Sequence, residues 1–396
     1  MKIVAFTLDY HPHKGGIQEY CHSICMNLSM RHEVSLVVPS DCTMRGDAEY
    51  EIIVDNNCDR KFLWNDEAIE RKFDKKISKM IIKADAIIFF HCYYYIPKSY
   101  YFGILNSIKS IVIVYGTEIL SLAGSRLAGK IVDDWRFLFV PNYIRLSAEG
   151  RIVEKALQGV THIGAISDYT KRLSDRVLGK TSRMKSHIVG CGIDTNLLDR
   201  YEEYRAKNLH CRFKFNNKFP VVSSIARFVS SKNQQTLLRL AREREVNVIL
   251  AGDGPERDSV IQSAYSMGVL DRILFPGVVS DEEKYYIMAN SILHILLSKK
   301  TQTGQIEGFG ITTLEAAAMN TASIVSGIGG IPFAVGGQEG AWVIDPSNFN
   351  ELLSSFDDAL SNNELRLSKV NFLKRLIKSH HNWRHVSRNI ESLILR

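Results

Sequence analysis

Short apolar runs alternate with helical patterns twice along this chain of 396 residues. The runs, each predicted to be a buried strand, are residues 3–8, 34–38, 51–54, 86–90, 111–115, 221–225, 246–251, 273–275, 292–297 and 323–325. Strands that alternate with helices build parallel sheets, because each crossover helix covers one face of the sheet. The pattern predicts an α/β protein with two similar domains in tandem and a cleft between them.

The sequence between the two series, at about residues 195–218, is charged and irregular, which is typical of a linker. We therefore place an N-terminal domain at 1–198 and a C-terminal domain at 199–375. A last patterned helix at 376–396 forms a separate segment.

Composition excludes several classes of protein. With 45% hydrophobic and 23% charged residues, the chain is globular rather than disordered. No apolar run approaches the ~20 residues of a membrane span, and the first ten residues predict a strand rather than a secretory signal. We expect a cytoplasmic protein with reduced thiols, in which Cys21 and Cys25 continue the apolar stripe of a helix rather than bind a metal.

The positive charge is concentrated in residues 366–396, which contain eight basic side chains and one acidic one, Glu391. This excess equals the whole net charge of +7. Such a tail attracts nucleic acid, anionic lipid or an anionic substrate, and a solvated helix face explains it equally well. Together with the aromatic and basic residues at 126–155, the tail predicts peripheral contact with an anionic membrane. We expect no nucleic-acid partner.

The stretch from Glu307 to Glu315 places two carboxylates at the ends of a glycine loop that opens a helix. Gly308 and Gly310 let the backbone turn tightly and approach a ligand. The helix from Ile311 directs free N–H groups at that ligand, which attracts phosphate. Glu307 would lie beside the ligand, and Glu315 would accept hydrogen bonds from paired hydroxyls such as those of a ribose. The stretch indicates a nucleotide-sugar site, although a glycine loop before an ordinary surface helix has the same pattern.

Glycines and polar residues also follow strands of the first series. Gly15 and Gly16 stand between the first strand and an amphipathic helix, where glycine serves either a tight turn or a phosphate. His91 follows a later predicted strand, and Tyr115 is the last residue of the next one. Ligands of parallel sheets gather at the carboxyl ends of the strands, so both side chains are site candidates. A loop histidine with its hydrogen bonds satisfied explains His91 equally well.

The Glu-x7-Glu pattern around Gly-Phe-Gly resembles the signature of the retaining GT-B glycosyltransferases of the glycogen-synthase-like type, family 4 or "glycosyl transferases group 1". Matching segments continue in order along nearly the whole chain, most closely from 223 to 346. The resemblance implies two Rossmann-like domains with parallel sheets facing across a cleft, and a last helix that crosses back to the first domain. It also implies transfer of a sugar from a nucleoside diphosphate.

The resemblance implies roles for particular residues. Gly15 and Gly16 would bring backbone N–H groups to the diphosphate and sugar of the donor. Arg227 and Lys232 match a pair of cations that neutralise the diphosphate, because a departing nucleoside diphosphate carries growing negative charge. Further ligand contacts, including backbone near the base at Val278, are expected from Gly252, Gly254, Val278, Glu307, Gly308, Phe309, Gly310, Ile311 and Glu315.

Two residues depart from the family pattern. Tyr115 stands where a histidine usually reaches the donor sugar, and Phe333 stands where an acidic residue often follows Ile-Pro. Tyr115 still offers a hydroxyl to the sugar. The catalytic residues expected from the resemblance are Glu307, Arg227, Lys232, Tyr115 and His91.

We expect a retaining, metal-independent hexosyltransferase without a cofactor, since the chain has no Asp-x-Asp and its cations would do the work of a metal. The expected acceptor is a glycan or a lipid-linked molecule, in assembly of a cell-surface polysaccharide, lipopolysaccharide or capsule. One alternative is a non-catalytic nucleotide-sugar-binding subunit that supports a partner transferase. Another keeps the fold but changes the reaction, as in a nucleotide-sugar epimerase or a phosphorylase.

Overall fold

The computed structural model describes residues 1–12, 15–43, 45–58, 71–116, 119, 153–179, 185–207, 209, 212–215, 218–302 and 304–396. The chain forms two compact units, the first made of Met1–Cys191 with Trp383–Arg396 and the second of Gly192–Asn382. The first boundary lies seven residues before the predicted position, and the second lies seven residues after it. Most of the aromatic and basic stretch predicted at 126–155 lies outside the described residues.

A sheet of seven parallel strands forms the described core of the first unit, in the order β3-β2-β1-β4-β5-β6-β7. The strands are β1 (Lys2–Phe6), β2 (Glu33–Pro39), β3 (Glu51–Asp55), β4 (Ala86–Phe89), β5 (Lys109–Val114), β6 (His162–Ala165) and β7 (Ser186–Ile188). The strand order reverses at β1, where Ile3 pairs with Val34 on one side and Ala86 on the other. Ligands bind beyond the carboxyl ends of strands at such a reversal.

The second unit contains a sheet of six parallel strands in the order β10-β9-β8-β11-β12-β13. The strands are β8 (Val221–Ile225), β9 (Asn247–Ala251), β10 (Ile273–Gly277), β11 (Leu293–Leu296), β12 (Ala322–Ser326) and β13 (Trp342–Ile344). The order reverses at β8, where Val222 pairs with both Val248 and Leu293. The two parallel sheets confirm the predicted α/β fold.

Helices connect and cover the strands. They are α1 (Gly16–Ser29), α2 (Lys75–Lys83), α3 (Tyr95–Tyr101), α4 (Asp168–Leu178), α5 (Tyr201–Arg205), α6 (Gln235–Glu243), α7 (Arg257–Ser266), α8 (Asp281–Ala289), α9 (Ile311–Ala318), α10 (Ile331–Val335), α11 (Phe349–Ser361), α12 (Asn363–Ser379) and α13 (Trp383–Leu395). In α1 the apolar stripe is buried, and it includes Cys21 and Cys25 as free thiols. Within the described part of the chain, no group of ligating side chains could hold a metal ion.

The last helix, α13, belongs to the first unit and packs on α1. The Trp383 and Tyr20 rings meet edge to face, with centroids 5.5 Å apart. Glu391 accepts hydrogen bonds from Arg31 at 2.8 Å and from His32 at 2.6 Å. The hydrogen bond from Arg31 lowers the pKa of Glu391 below its ordinary value, and the bond from His32 adds to this. An aromatic contact and a cluster of charged side chains thus hold α13 against the rest of the first unit.

The basic residues of 366–396 do not form one continuous tail, because α12 lies in the second unit and α13 in the first. Some of these basic side chains also donate hydrogen bonds within the folded unit. Lys369 is buried and donates to the Ala341 carbonyl at 3.2 Å, and Lys374 donates to the side chain of Asn320. Among the described residues, no helix is both long and apolar enough to cross a membrane.

One buried histidine joins the sheet of the second unit to α9. His294 on β11 is fully buried, with Nδ1 3.4 Å from the Ser223 hydroxyl and Nε2 3.1 Å from the Thr312 hydroxyl. Burial lowers the pKa of His294 to about 3. The folded protein therefore keeps this imidazole neutral, whereas the unfolded chain protonates it below about pH 6.5. The neutral ring stabilises the fold above that pH, and this stability is lost as the pH falls toward 3.

We expect the His294→Gln variant to have a flatter dependence of stability on pH than the wild type. Between pH 6.5 and pH 4.5, the slopes of unfolding free energy should differ by up to about 1.4 kcal/mol per pH unit, because the variant has one proton fewer to bind on unfolding. Urea unfolding at several pH values measures both slopes. The exposed His380, replaced by Gln, is the control, and it should leave the wild-type slope unchanged. Parallel curves for wild type and His294→Gln would contradict the expectation.

Candidate functional site

The glycine loop between β11 and α9 is the centre of the candidate site. α9 begins at Ile311, and Gly310 before it has a left-handed backbone with φ of 87°. A Cβ atom at Gly310 would lie 3.1 Å from a methyl carbon of Leu296 and 3.2 Å from a side-chain carbon of Ile331. The Thr313 hydroxyl donates to the Gly310 carbonyl at 2.7 Å, which fixes the first turn. Both the backbone angle and the crowding favour glycine here.

Glu307 forms an ion pair with Lys232, which lies 75 residues away in the sequence. The lysine ends a 3-10 turn in the loop after β8, and the side chains of Lys232 and Glu307 are 22% and 19% exposed. The Glu307 carbonyl accepts a hydrogen bond from the Gly330 N–H at 2.9 Å. A Cβ atom at Gly329 would lie 2.2 Å from the same carbonyl oxygen. Two glycines after β12, Gly329 and Gly330, therefore position Glu307.

Arg227 lies in the same loop as Lys232 and is exposed. Its carbonyl accepts a hydrogen bond from the side-chain amide of Gln234 at 2.8 Å. The next residue, Phe228, is buried and donates its N–H to the Asp253 carbonyl at 2.9 Å. The backbone of the loop is thus anchored, while the exposed guanidinium has the fork of donors that suits phosphate oxygens.

Gly252 and Gly254 let the loop after β9 approach the loop that carries Arg227. They have φ values of 134° and 154°. A Cβ atom at Gly252 would lie 2.1 Å from the Ala226 carbonyl oxygen, and one at Gly254 would lie 2.5 Å from that of Phe228. Both glycines therefore serve the packing of backbone on backbone. Their contact with a ligand stays a prediction.

Two of the predicted ligand residues differ sharply in exposure. Val278 follows Gly277 at the end of β10 and is 66% exposed. The Phe309 side chain is 3% exposed, and its ring lies edge to face with His381 at 5.3 Å and with Phe333 at 6.3 Å. Phe309 thus packs inside the unit, which leaves only its backbone to meet a ligand. Phe333, at a position often acidic in the resembled family, completes this aromatic cluster.

Glu315 is buried on α9 and is paired with a lysine that the sequence analysis missed. The Lys284 ammonium lies 2.7 Å from Glu315 Oε1, and the Tyr285 hydroxyl lies 3.5 Å from the same oxygen. Burial alone lowers the pKa of Lys284, but the Glu315 carboxylate, with Tyr285 and Asp281, more than offsets this and holds the pKa well above its ordinary value. Burial likewise raises the pKa of Tyr285, and the charge of Glu315 adds to the effect. Lys284 therefore stays charged beside Glu315.

In the first unit, His91 and Tyr115 meet at the carboxyl ends of β4 and β5. Their ring centroids are 6.4 Å apart, and the Tyr20 ring lies edge to face with Tyr115 at 5.6 Å. His91 Nδ1 accepts a hydrogen bond from the Leu8 N–H at 3.2 Å, which leaves Nε2 as the protonated nitrogen of a neutral ring. The structure thus brings together two site candidates that are 24 residues apart in the sequence.

Gly15 and Gly16 open α1, as the sequence predicts. Gly15 is the residue before the helix, and the atoms nearest to its Cβ position belong to the flexible side chain of Gln18, at 2.6 Å. Among the described residues, a Cβ atom at Gly16 would meet nothing within 4 Å. The described packing around these glycines therefore does not require them, and they remain candidates for close approach to a ligand. Residues 13 and 14, just before them, lie outside the described part of the chain.

The second unit has two cations and two carboxylates in and near its glycine loop. They are Arg227, Lys232, Glu307 and Glu315. Arg227 and Lys232 can hold a polyanion, and the first turn of α9 adds N–H groups. Gly308 and Ile311 between the carboxylates are half-buried. This set of groups suits a ligand with phosphates at one end and hydroxyls at the other.

Comparison with known proteins agrees with that chemistry. Residues 206–383 match the family described as Glycosyl transferases group 1. An uncharacterized glycosyltransferase of Methanocaldococcus jannaschii is 23% identical over 98% of this chain and 96% of its own length. The GDP-mannose-dependent alpha-(1-6)-phosphatidylinositol monomannoside mannosyltransferase of Mycobacterium tuberculosis is 24% identical over 53% of this chain, and the match spans about half of that relative, 55%.

Among solved structures, the Anabaena protein HepE in complex with UDP is similar over the full length of both chains. Its TM-score is 0.75 at 15% sequence identity, with 100% of each chain covered. At this identity the similarity shows the fold alone. The two parallel sheets described above match the GT-B architecture.

Proposed function

We propose that this protein is a retaining glycosyltransferase, because residues 206–383 match the family Glycosyl transferases group 1 and the chain has the GT-B fold. It moves a sugar from a nucleoside diphosphate to a glycan or lipid-linked acceptor. The observation that carries the proposal is the Lys232–Glu307 ion pair, with Arg227 exposed in the same loop. A cation and a carboxylate meet there before the start of a helix, with a second cation in the same loop as the first, where the phosphates and sugar of a donor need them.

The leaving group explains why the site requires fixed cations. When the bond between the anomeric carbon and the diphosphate breaks, negative charge grows on the departing oxygens. Arg227 and Lys232 stabilise that charge, because the loop backbone around Arg227 is anchored and the Lys232 ammonium lies beside Glu307, where the diphosphate binds in this proposal. A bound diphosphate competes with Glu307 for the lysine, which frees Glu307 to accept hydrogen bonds from the sugar.

The configuration at the anomeric carbon is retained if the acceptor attacks the face of the sugar from which the diphosphate leaves. The acceptor oxygen forms the new bond to the anomeric carbon, the bond to the diphosphate breaks, and the acceptor proton passes to the departing phosphate oxygen. No side chain is assigned as a nucleophile. Glu315 binds the ribose hydroxyls, and the backbone near the exposed Val278 meets the base.

For the first unit, we assign His91 and Tyr115 to the donor sugar and Gly15 and Gly16 to the diphosphate. The adjacency of the two rings and the open space at Gly16 support these roles. A lipid-linked acceptor, in assembly of lipopolysaccharide or another cell-surface glycan, is supported by the mannosyltransferase relative, whose name states a phosphatidylinositol mannoside substrate.

A panel of nucleotide sugars tests the function. The purified chain is incubated with each donor and a lipid extract, and release of the nucleoside diphosphate is measured. We expect one donor to be consumed, and a product with the same anomeric configuration identifies retention. Binding of a nucleotide sugar without any turnover would favour the alternative, a non-catalytic subunit, which the tyrosine at position 115 motivates.

We expect the activity to be independent of divalent metal, because Arg227 and Lys232 supply the positive charge that the leaving diphosphate needs. Dialysis against EDTA should leave the turnover number unchanged, and added Mg²⁺ or Mn²⁺ should not raise it. A glycosyltransferase known to require Mn²⁺, treated in the same way, is the positive control for chelation. Loss of activity with EDTA and recovery with either metal would contradict the cation assignment.

Peripheral membrane contact is a further part of the proposal. After the internal contacts of Lys369 and Lys374 are set aside, the exposed Arg375 and Lys378 remain on α12. Each such cation contributes about 1 kcal/mol near an anionic surface. Cosedimentation with anionic liposomes should therefore rise with anionic lipid content and fall at high salt.

The Arg375→Gln/Lys378→Gln pair should weaken this cosedimentation about tenfold or more. Lys214→Gln/Lys218→Gln, which removes two exposed charges elsewhere in the same unit, is the matched control. Wild-type protein that stays in the supernatant at low salt would end the membrane proposal.

A further inference from the structure

Among the described residues, the pair formed by Lys284 and Glu315 is the most enclosed ion pair that adjoins the proposed site. The two side chains are 17% and 10% exposed, and the nitrogen lies 2.7 Å from Oε1. Lys284 comes from α8, a helix that begins with a capping box in which Ser280 and Glu283 bond each other's backbone N–H groups. A fixed helix start holds the lysine in place. The pair is therefore a built feature rather than a surface contact.

The geometry divides the oxygens of Glu315 between two tasks. Among the described residues, Lys284 and Tyr285 both approach Oε1. This leaves Oε2 as the oxygen to accept hydrogen bonds from a ligand. A carboxylate binds hydroxyls with a preferred direction only if it cannot rotate, and a short charge-assisted hydrogen bond to one of its oxygens prevents rotation. Lys284 provides that bond.

We propose that Lys284 is a positioning residue that holds the Glu315 carboxylate in one orientation, and so creates selectivity for a ribose over a deoxyribose in the donor. The inference rests on the proposed function, since it assumes that Glu315 meets the ribose. Lys284 does not touch the ligand. It acts through the carboxylate, and its loss should change which sugar of the nucleoside is accepted rather than how the phosphates bind.

The experiment measures dissociation constants of the full chain by calorimetry for UDP, GDP and their 2′-deoxy counterparts. For the diphosphate that binds, the wild type should prefer the ribose form by about ten- to a hundredfold, the value of a charge-assisted hydrogen bond. In Lys284→Met we expect this preference to shrink by about tenfold or more. Lys284→Arg keeps a cation that can pair with the carboxylate, and it should restore most of the preference.

Asp281 provides a matched control. Its carboxylate lies 2.9 Å from the same ammonium, but its side chain is 83% exposed. Asp281→Asn should leave the ribose preference unchanged, because Glu315 is still paired. Lys284→Met removes the lysine partner of a buried carboxylate and can fail to fold, so a second comparison uses Glu315→Gln against the double variant Lys284→Met/Glu315→Gln. If Lys284 acts through Glu315, the two should show the same weak preference.

The outcomes separate the inference from the function on which it rests. A wild type that binds no nucleoside diphosphate overturns both. Binding without any ribose preference overturns the role of Glu315 and, with it, that of Lys284, but leaves the transferase proposal standing. An unchanged or larger preference in folded Lys284→Met overturns the inference alone, as does a double variant that discriminates less than Glu315→Gln.

Discussion

Replacement of Lys232 by alanine is expected to lower the turnover number by about 10²–10³, the usual cost of removing one group that stabilises a transition state. The ammonium lies against Glu307 at the start of the glycine loop, where the leaving diphosphate develops its charge in the proposed reaction. Substrate affinity should change less than turnover, because the charge on the phosphates grows mainly as the bond breaks. Steady-state kinetics with saturating donor and acceptor separates the two effects.

The control for this variant removes the same charge at the opposite end of the same strand. Lys218 is exposed and precedes β8, whereas Lys232 follows it. Lys218→Ala should leave the turnover number within about twofold of the wild type, since an exposed cation far from the reacting atoms contributes little. Arg227→Ala should resemble Lys232→Ala. If Lys232→Ala also keeps wild-type turnover, the cation assignment is wrong.

Replacement of Gly252 by alanine is expected to destabilise the second unit by more than the ~1–2 kcal/mol that a positive φ alone costs a residue with a side chain. The new Cβ atom would lie 2.1 Å from the Ala226 carbonyl oxygen, so that two segments of backbone must separate. That movement displaces the loop carrying Arg227, and activity should fall with stability. Urea unfolding and kinetics on one preparation measure both effects.

Gly268 provides the comparison that isolates the steric effect. It has a φ of 68°, but a Cβ atom there would meet nothing within 4 Å. Gly268→Ala should therefore show the backbone strain alone, about 1 kcal/mol, with normal activity. Equal losses of stability in the two variants would mean that the approach of the two loops is not as tight as the structure describes.

The sequence predicted most of the fold because buried parallel strands leave a strong signal. Runs such as Ile111 to Val114 are continuously apolar, since both faces of the sheet are covered. Three strands were missed: β6, β7 and β13. They have three or four residues each. β6 contains a histidine and a glycine, β7 a serine and a histidine, and β13 a tryptophan. Their pairing depends on the sheet beside them, which no local pattern reveals.

The resemblance predicted where the glycine loop and its carboxylates stand, and the structure added how they are held. Glycine and glutamate at fixed spacing are visible in the sequence because they act within one short segment. Lys284 was not singled out, since it lies 31 residues from Glu315 and has no local signal that marks it as a partner. The sequence also could not show that Phe309 packs against His381 rather than facing a ligand.

By itself, the sequence determined the alternation of strands and helices, the division into two α/β units and the types of charged group around the loop after β11. These follow from properties of neighbouring residues, namely apolar period, glycine and charge. Only the tertiary structure decided which charges meet. It paired Lys232 with Glu307 and Lys284 with Glu315, and it divided the basic residues of 366–396 between two units. Ion pairs act over a few ångströms in space, and that distance is set by how strands order themselves in a sheet, not by their separation along the chain.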